Sequence, residues 1–426
     1  MRAEASELAG VAARVAGEDA VELGTPGSAV GTVVPSILVT PGDAARVAET
    51  LRWARGRRLA VVPSGAGTKL DWGAIPPRID ILLSTRRLDA VVAHRQGDLT
   101  ATVQAGARLV EVNRILGRHR QWLPLDPACP DRATIGGIVA TNDAGPRRHQ
   151  HGAPRDLILG VRFVRSDGEM ATAGGAVVKN VAGYDLARLL TGSFGALGVM
   201  IEATFKLAPV APASRTLVAG DLSAAEAAQA IDALTSSQLT PSAVEVQGPP
   251  FSILARFETS PEAAERQVAV ASALVRQWAA SVRVLTGAAE AERWKAHHDS
   301  IWRPGGVVCR VGLRPADLAG FLDRFHALEG RSVQGQVAGR ARVGILHVRM
   351  EGETAAVRRV VETMRQQVQP RDGHAVLLRA PADLRTAVDS WGSLGDAARV
   401  MAAVKREFDP EGILSPGRWT LEEGTA

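Results

Sequence analysis

Cysteine, lysine and tyrosine are scarce in this chain of 426 residues. Cys129 and Cys309 are the only cysteines. Two isolated thiols cannot ligate an iron–sulfur cluster or build a Cys-rich zinc site. They read as reduced, buried thiols of a cytoplasmic protein. Lysine occurs only at Lys69, Lys179, Lys206, Lys295 and Lys405, so the net charge of +5 is carried almost wholly by arginine. That charge is dispersed. Arg147-Arg148 and the cluster Arg55 to Arg58 read as loop and helix-end charge, and no basic run is interleaved with aromatics. Nucleic acid is therefore excluded as a partner. No run approaches the ~18–20 apolar residues needed to cross a bilayer. The N-terminus, "MRAEASELAGVAARVAGEDAVELG", has no apolar core or cleavage pattern of a signal peptide. The expected location is the cytoplasm, with docking on a membrane through partners left open.

What remains is a chain of ordinary globular composition, 46% hydrophobic and 22% charged, and long enough for two domains. Residues 1–30 read as a helical lead-in. Residues 31–210 alternate strands, glycine-rich loops and short helices, with a hairpin turn at Asp167-Gly168. From 216 to 381, short strands such as "AVEVQG" and "VGILHVRM" alternate with amphipathic helices. That pattern predicts an antiparallel sheet with helices on one face, and an α+β class for the whole chain. Residues 382–426 hold a last helix and the segment "EGILSPGRW".

Three segments concentrate glycine. "VVPSGAGTKLDWG", Val61 to Gly73, follows a buried strand. Small residues there let an anion approach backbone N–H groups, and Ser64 and Thr68 add hydroxyls. Leu70 excludes a G-x-G-x-x-G dinucleotide fingerprint, and Thr68 before Lys69 excludes a Walker loop. "LDPACPDRATIGGIVATNDAG", Leu125 to Gly145, offers Thr134 and Asn142 beside Gly136-Gly137. "KNVAGYDLARLLTGSFGALGVMIEA" carries Gly192, Gly195 and Gly198 at a spacing of three, which on a helix would line one smooth face. Its Tyr184, the only tyrosine, is expected to fix the turn before "DLARLL". Together the segments suggest one long cofactor with a pyrophosphate.

The order P-x-G-x-G-T, D-P…T-I-G-G…N-D-A-G, then G-Y-D-L-x-R-L-x-x-G-S-x-G-x-L-G-V resembles the FAD domain of the vanillyl-alcohol-oxidase, or PCMH-type, flavoproteins. "FDPEGILSPGR" resembles that family's C-terminal return, with Ser415 where Asn is usual. Within the family, the motifs resemble the FAD-binding subunits of glycolate oxidases. The resemblance implies a PCMH-type FAD-binding domain of two α+β subdomains over 31–210 and an α+β cap over 216–381, with residues 382–426 returning to the FAD domain. It implies that Pro63, Ser64, Gly65, Ala66, Gly67 and Thr68 hold the pyrophosphate. Pro127, Thr134, Gly136, Gly137, Asn142 and Gly145 would line the middle of the FAD. Gly195, Gly198 and Ile201 would lie against its adenine half or nearby backbone. The first loop has no histidine, so the FAD is expected to be non-covalent. The implied function is oxidation of 2-hydroxy acids, glycolate to glyoxylate, within a complex. A sister flavoprotein subunit and an iron–sulfur subunit would be the partners. The alternatives are a self-sufficient oxidase or dehydrogenase of another hydroxy acid or alcohol, and a flavin-holding scaffold without turnover.

Oxidising a 2-hydroxy acid needs a base and a carboxylate clamp. His297, His298 and Arg303 in "RWKAHHDSIWR" are candidates, against the alternative of a solvated helix face. His347 is another, against that of a satisfied core histidine. Family members that oxidise 2-hydroxy acids carry a G-D-G-N-x-H motif, of which "VGILHVRM" keeps only His347. His149 and His151 have a metal-compatible spacing but no carboxylate partner in sequence, so no metal is expected.

Overall fold

A computed structural model describes residues 2–176, 183–328 and 333–419. Lys179 of the third glycine-rich segment lies outside them. The chain divides into two compact units. The first comprises Met1–Ala144, Ala153–Val210 and Ser393–Ala426. Besides a two-stranded ladder of Gln121–Trp122 with Ala208–Pro209, it contains two main sheets, each with its own core. In the smaller, the strands run in the order Val21–Leu23, Ile37–Val39, Ile81–Ser84, Val61–Ser64. The last three are parallel, as expected where helices cross between strands. Helix Ala44–Gly56 is started by Asp43, whose side chain accepts from Arg46 N–H. Its Val47 and Leu51, one turn apart, pack on Ile37, Val39, Ile81 and Leu83.

The larger sheet is antiparallel, in the order Val91–Arg95, Thr100–Gln104, Val199–Lys206, Ile158–Val164, Met170–Gly174. The hairpin at Asp167-Gly168 pairs Val164 with Met170. Helices Leu109–Leu116, Ile135–Thr141 and Leu186–Leu190 cover one side through Val112, Ile138, Val139 and Leu190. "IGGIVAT" is therefore helical despite its glycine pair. The stretch 191–198 is not helical, so Gly192, Gly195 and Gly198 do not share a helix face. Tyr184 is 92% exposed, and its ring anchors nothing; the turn closes through backbone, Leu186 N–H donating to the Tyr184 carbonyl.

The last segment closes the first unit. Asp409 accepts from the N–H groups of Ile413 and Leu414. That seats Leu414 beside Val61 as a parallel bridge on the small sheet. Ser415 Oγ then donates to the Phe194 carbonyl at 3.0 Å.

The second unit comprises Gly145–Gly152 and Ala211–Gly392. Its eight-stranded antiparallel sheet runs Ser281–Leu285, Ala213–Leu222, Phe251–Thr259, Ala243–Gly248, Val333–Arg340, Ile345–Gly352, Val307–Gly312, His374–Arg379. Helices Ala224–Ser236, Pro261–Val275, Leu318–Leu328 and Thr354–Val368 share one core on one face. The other face is not left bare. Helix Gly287–Trp302 lies on it, with Trp294 packed on Val218, Ala243 and Leu254. Strand Ala243–Gly248 is accordingly buried almost throughout rather than on alternate residues.

Gly145–Gly152 sits with the second unit because Arg147 forks onto the Glu258 carboxylate, Nη2 at 2.8 Å and Nε at 3.3 Å. Burial pushes the Glu258 carboxyl up, and the Arg147 bonds outweigh it, so its pKa lies below the usual value. A depressed pKa gives stability that is complete above the unfolded glutamate value of about 4.3 and lost as pH falls through the folded value. Arg147→Met should therefore lower the melting temperature of the second unit at pH 7, by an amount that shrinks as acid protonates Glu258. Melts recorded from pH 7 downward check the sign.

Candidate functional site

The first unit holds a glycine-lined cleft of about 800 Å³, part of it open to solvent at its mouth. One wall is the loop Pro63 to Leu70, which leaves strand Val61–Ser64. A second is Thr134, Gly136, Gly137, Ala140 and Thr141. A third is Leu190, Ser193, Phe194, Gly195, Gly198, Val199 and Met200. The three glycine-rich segments, far apart in sequence, thus face one space.

The glycines do two different jobs. A Cβ on Gly65 would stand 2.0 Å from Thr134 Oγ1, and one on Gly195, where φ is +74°, would meet the Pro63 ring at 3.0 Å. These missing side chains let the walls pack on each other. At Gly137 an added Cβ would meet nothing closer than Thr134 Oγ1 at 3.3 Å. That glycine keeps the cleft itself open. Among the described residues, the N–H groups of Gly65, Ala66, Gly67 and Thr68 meet no protein acceptor. Uncompensated donors of this kind call for a ligand or solvent.

Two buried cations hold the loop. Lys69 Nζ lies 3.2 Å from Asp143 Oδ2 in an almost wholly buried pair. Asp143 Oδ2 also accepts from Ala128 N–H, and Lys69 reaches the Ala128 carbonyl. The loop is thereby tied to the Asp-Pro turn and to the end of helix Ile135–Thr141. Arg418, 3% exposed, donates to the carbonyls of Leu70 and Trp72 at 3.0 Å each and lines the cleft. Sequence reasoning missed both. The only signal for Arg418 was its place after Pro416-Gly417 in the C-terminal motif.

Of the residues singled out in sequence, Pro63, Ser64, Gly65, Ala66, Gly67, Thr68, Thr134, Gly136, Gly137, Gly195 and Gly198 line the cleft. Pro127, Asn142, Gly145 and Ile201 do not. Ile201 is fully buried in the core with Val47 and Leu51 of helix Ala44–Gly56. Asn142 caps helix Ile135–Thr141 in the left-handed region, φ 48°, and its Oδ1 accepts from Arg155 N–H. Gly145 belongs to the second unit.

The catalytic candidates all lie in the second unit. His297 is buried on helix Gly287–Trp302, with Nδ1 at 3.0 Å from Gln247 Oε1 and Nε2 at 3.1 Å from Glu245 Oε2. His298 turns the other way and meets Asp299. Arg303 is half-exposed and paired with Glu351. His347 is 7% exposed and bonded to Arg340. Among the described residues, no group of three or more His, Cys, Asp or Glu is placed to hold a metal. No helix among them is long and apolar enough to cross a membrane.

Residues 35–174 match the FAD binding domain family, and residues 394–419 match the C-terminal domain of FAD linked oxidases. The glycolate oxidase subunit GlcE of Escherichia coli K12 is 37% identical over 170 residues, covering 40% of this chain and 48% of that one. A D-2-hydroxyglutarate dehydrogenase of Xanthomonas citri pv. viticola is 36% identical over 184 residues, covering 43% and 39%. The chain thus spans less than half the length of these curated relatives. The solved structure of a chitooligosaccharide oxidase superposes with a TM-score of 0.67 at 14% identity, covering 93% and 94% of the two chains, which shows a shared fold. The matched domains are those of FAD-dependent oxidoreductases, and FAD is the cofactor of this α+β chain.

The cleft fits that group. Free amides, the hydroxyls of Ser64, Thr68 and Thr134, and the Arg418 guanidinium suit an anionic pyrophosphate, while Leu70, Leu190, Phe194, Val199 and Met200 suit flat rings. No His, Cys or Tyr lines it, so the wall offers no covalent tether. Arg418→Met should weaken FAD retention by roughly 10–100-fold, the loss expected for a bond to a charged group worth about 1.5–3 kcal/mol. Titration of the apoprotein with FAD checks this, and because Arg418 is buried the gap between wild type and variant should persist at high salt.

Proposed function

We propose that this chain is the FAD-binding subunit of a glycolate oxidase-type complex that oxidises a small 2-hydroxy acid and passes the electrons to a partner. The observation that carries the reading is the convergence of three glycine-rich walls and a buried arginine on one cleft, in a chain whose relatives are named for 2-hydroxy acids. Bound FAD supplies a two-electron acceptor.

The chain's own residues do the holding. Gly65 to Thr68 present amides, Lys69 and Asp143 fix the loop, and Arg418 supplies positive charge. Onward transfer falls to a partner, because two cysteines cannot hold a cluster. Burial moreover pushes the Cys309 thiol up to about 12, leaving it unreactive. A sister flavoprotein subunit and an iron–sulfur subunit are the partners this reading requires, at a location in the cytoplasm or peripheral to the membrane through them.

The test is anaerobic addition of glycolate or D-lactate to the yellow, FAD-loaded chain. The expected result is bleaching of the flavin spectrum only when the partner subunits are co-expressed. Bleaching of the isolated chain would establish a self-sufficient dehydrogenase instead. No bleaching in either case would leave a flavin-holding scaffold.

A further inference from the structure

We propose that a hollow framed by Arg86, Arg108 and Arg132 is the docking point for a carboxylate-bearing, electron-accepting partner protein; the partner's redox role rests on the electron-transfer reading above.

The hollow, of about 790 Å³ and part of it open to solvent, lies in the first unit beside the cofactor cleft. Ala66 and Thr134 line both. The wall is closed there, since a Cβ on Gly65 would stand 2.0 Å from Thr134 Oγ1. A molecule in the hollow is thus a neighbour of one in the cleft, with a single layer of residues between them. The backbone that carries the arginines is pinned. Arg86 sits in the turn that Leu88 N–H closes onto the Thr85 carbonyl, and Gly106 N–H holds that turn by the Leu88 carbonyl at 2.8 Å. No side chain fits at Gly106, where a Cβ would lie 2.0 Å from the Thr85 carbonyl oxygen. Arg108 and Arg132 flank a short ladder, in which Leu109 N–H donates to the Ala133 carbonyl and Ile135 N–H to the Ala107 carbonyl.

The side chains are not pinned. Arg86, Arg108 and Arg132 are all exposed. Among the described residues, the guanidinium groups of Arg86 and Arg132 meet no protein acceptor. Arg108 reaches Glu111 at 3.5 Å, but Arg114 holds that carboxylate more closely, at 2.8 Å. Asp89 is the other carboxylate on the rim. Positive charge therefore exceeds negative around the hollow. Guanidinium forks match carboxylates, and exposed rim charges of this kind govern the rate and salt dependence of protein association. A small anion held tightly needs buried donors converging on it, which exposed arginines do not supply. A protein surface brings several carboxylates together and covers the arginines as it docks. The chain also needs an outlet for electrons beside the cleft, because its two cysteines cannot hold a cluster.

Paramagnetic hexacyanochromate(III), added to the FAD-loaded chain, should broaden the Nε–H signals of Arg86 and Arg132 before those of other arginines. A hexaglutamate peptide should displace it, and inorganic phosphate at matched total charge should not. For the redox role, the FAD-loaded chain is photoreduced and mixed with hexacyanoferrate(III). Two of these ions take one electron each as each FAD is reoxidised, and the proton returns to solvent. Arg86→Gln with Arg132→Gln should slow this step about tenfold at low ionic strength, the lower end of electrostatic steering, and the gap should close at high salt. Arg86→Lys with Arg132→Lys should keep the wild-type rate, and Asp89→Asn should raise it. The cationic acceptor hexaammineruthenium(III) should react no more slowly with the glutamine variant than with wild type. Broadening confined to other arginines, displacement by phosphate in preference to the peptide, or equal hexacyanoferrate(III) rates in wild type and the glutamine variant would each overturn the proposal. Light supplies the electrons, so the test does not depend on the substrate. An arginine effect without bleaching by any 2-hydroxy acid would sink the proposed reaction and leave the docking point standing. Bleaching by glycolate, with hexacyanoferrate(III) rates indifferent to the arginines, would do the reverse.

Discussion

Gly65→Val is expected to yield a colourless protein. The added Cβ would lie 2.0 Å from Thr134 Oγ1 and 3.1 Å from Thr134 Cβ. Thr134 has nowhere to go: it is 2% exposed, bridges Arg108, and begins helix Ile135–Thr141. The loop must move instead, and it moves into the cleft. Overpacking of this sort costs about 1–3 kcal/mol before the larger valine is counted. Displacing the amides of Gly65 to Thr68 from their ligand adds to it. We expect FAD affinity to fall at least about 100-fold, some 3 kcal/mol, with a lower melting temperature of the apoprotein as well. Gly137→Leu makes the contrast. Its Cβ would meet Thr134 Oγ1 at 3.3 Å rather than 2.0 Å, so the side chain should fill the cleft and expel FAD while lowering the apoprotein melt less than Gly65→Val does. Flavin absorbance after gel filtration and a thermal melt separate the two. Full FAD occupancy in both variants would reject the cleft as the cofactor site.

The second large effect concerns the pair Lys69–Asp143. Both side chains are nearly inaccessible, at 4% and 3%. Removing one partner of a buried pair leaves an uncompensated charge and costs about 3–5 kcal/mol. Lys69→Met strands Asp143, whose other contact is a single N–H from Ala128. Asp143→Leu leaves Lys69 with the Ala128 carbonyl and the Thr68 hydroxyl, both at 3.4 Å, and the Trp72 ring at 5.7 Å, none of them an anion. Each single variant should lower the urea midpoint of the first unit sharply. The double variant should recover much of the loss, because no charge is then left buried. Single-variant costs below about 1 kcal/mol, the scale of an exposed pair, would show that solvent reaches this site.

Much of the cofactor cleft was legible because anion loops and close wall packing demand small residues in a few consecutive positions. Pro63 to Thr68 and Thr134 to Gly137 carry that demand locally, and so does the Asp167-Gly168 hairpin. The glycines at 192, 195 and 198 misled in one respect. Equal spacing suggested a helix face, whereas the chain there turns, and Gly195 is small because Pro63 lies against it.

Other features depend on partners remote in sequence. Arg418 reaches carbonyls almost 350 residues away. Arg147 leaves its own sequence block to pair with Glu258. Helix Gly287–Trp302 covers the second sheet face through His297, Trp294 and Glu290, which bind Glu245 and Thr216. Its "AHHD" stretch by itself fits a solvated surface equally well.

The sequence by itself determined the small-residue loops, the strand and helix periodicities and the lack of cluster ligands, since each is a property of neighbouring residues. Tertiary structure alone decided which glycines serve packing and which keep space, and where the buried cations pair. Those outcomes depend on which groups meet at 2–4 Å, and folding brings such groups together from opposite ends of the chain.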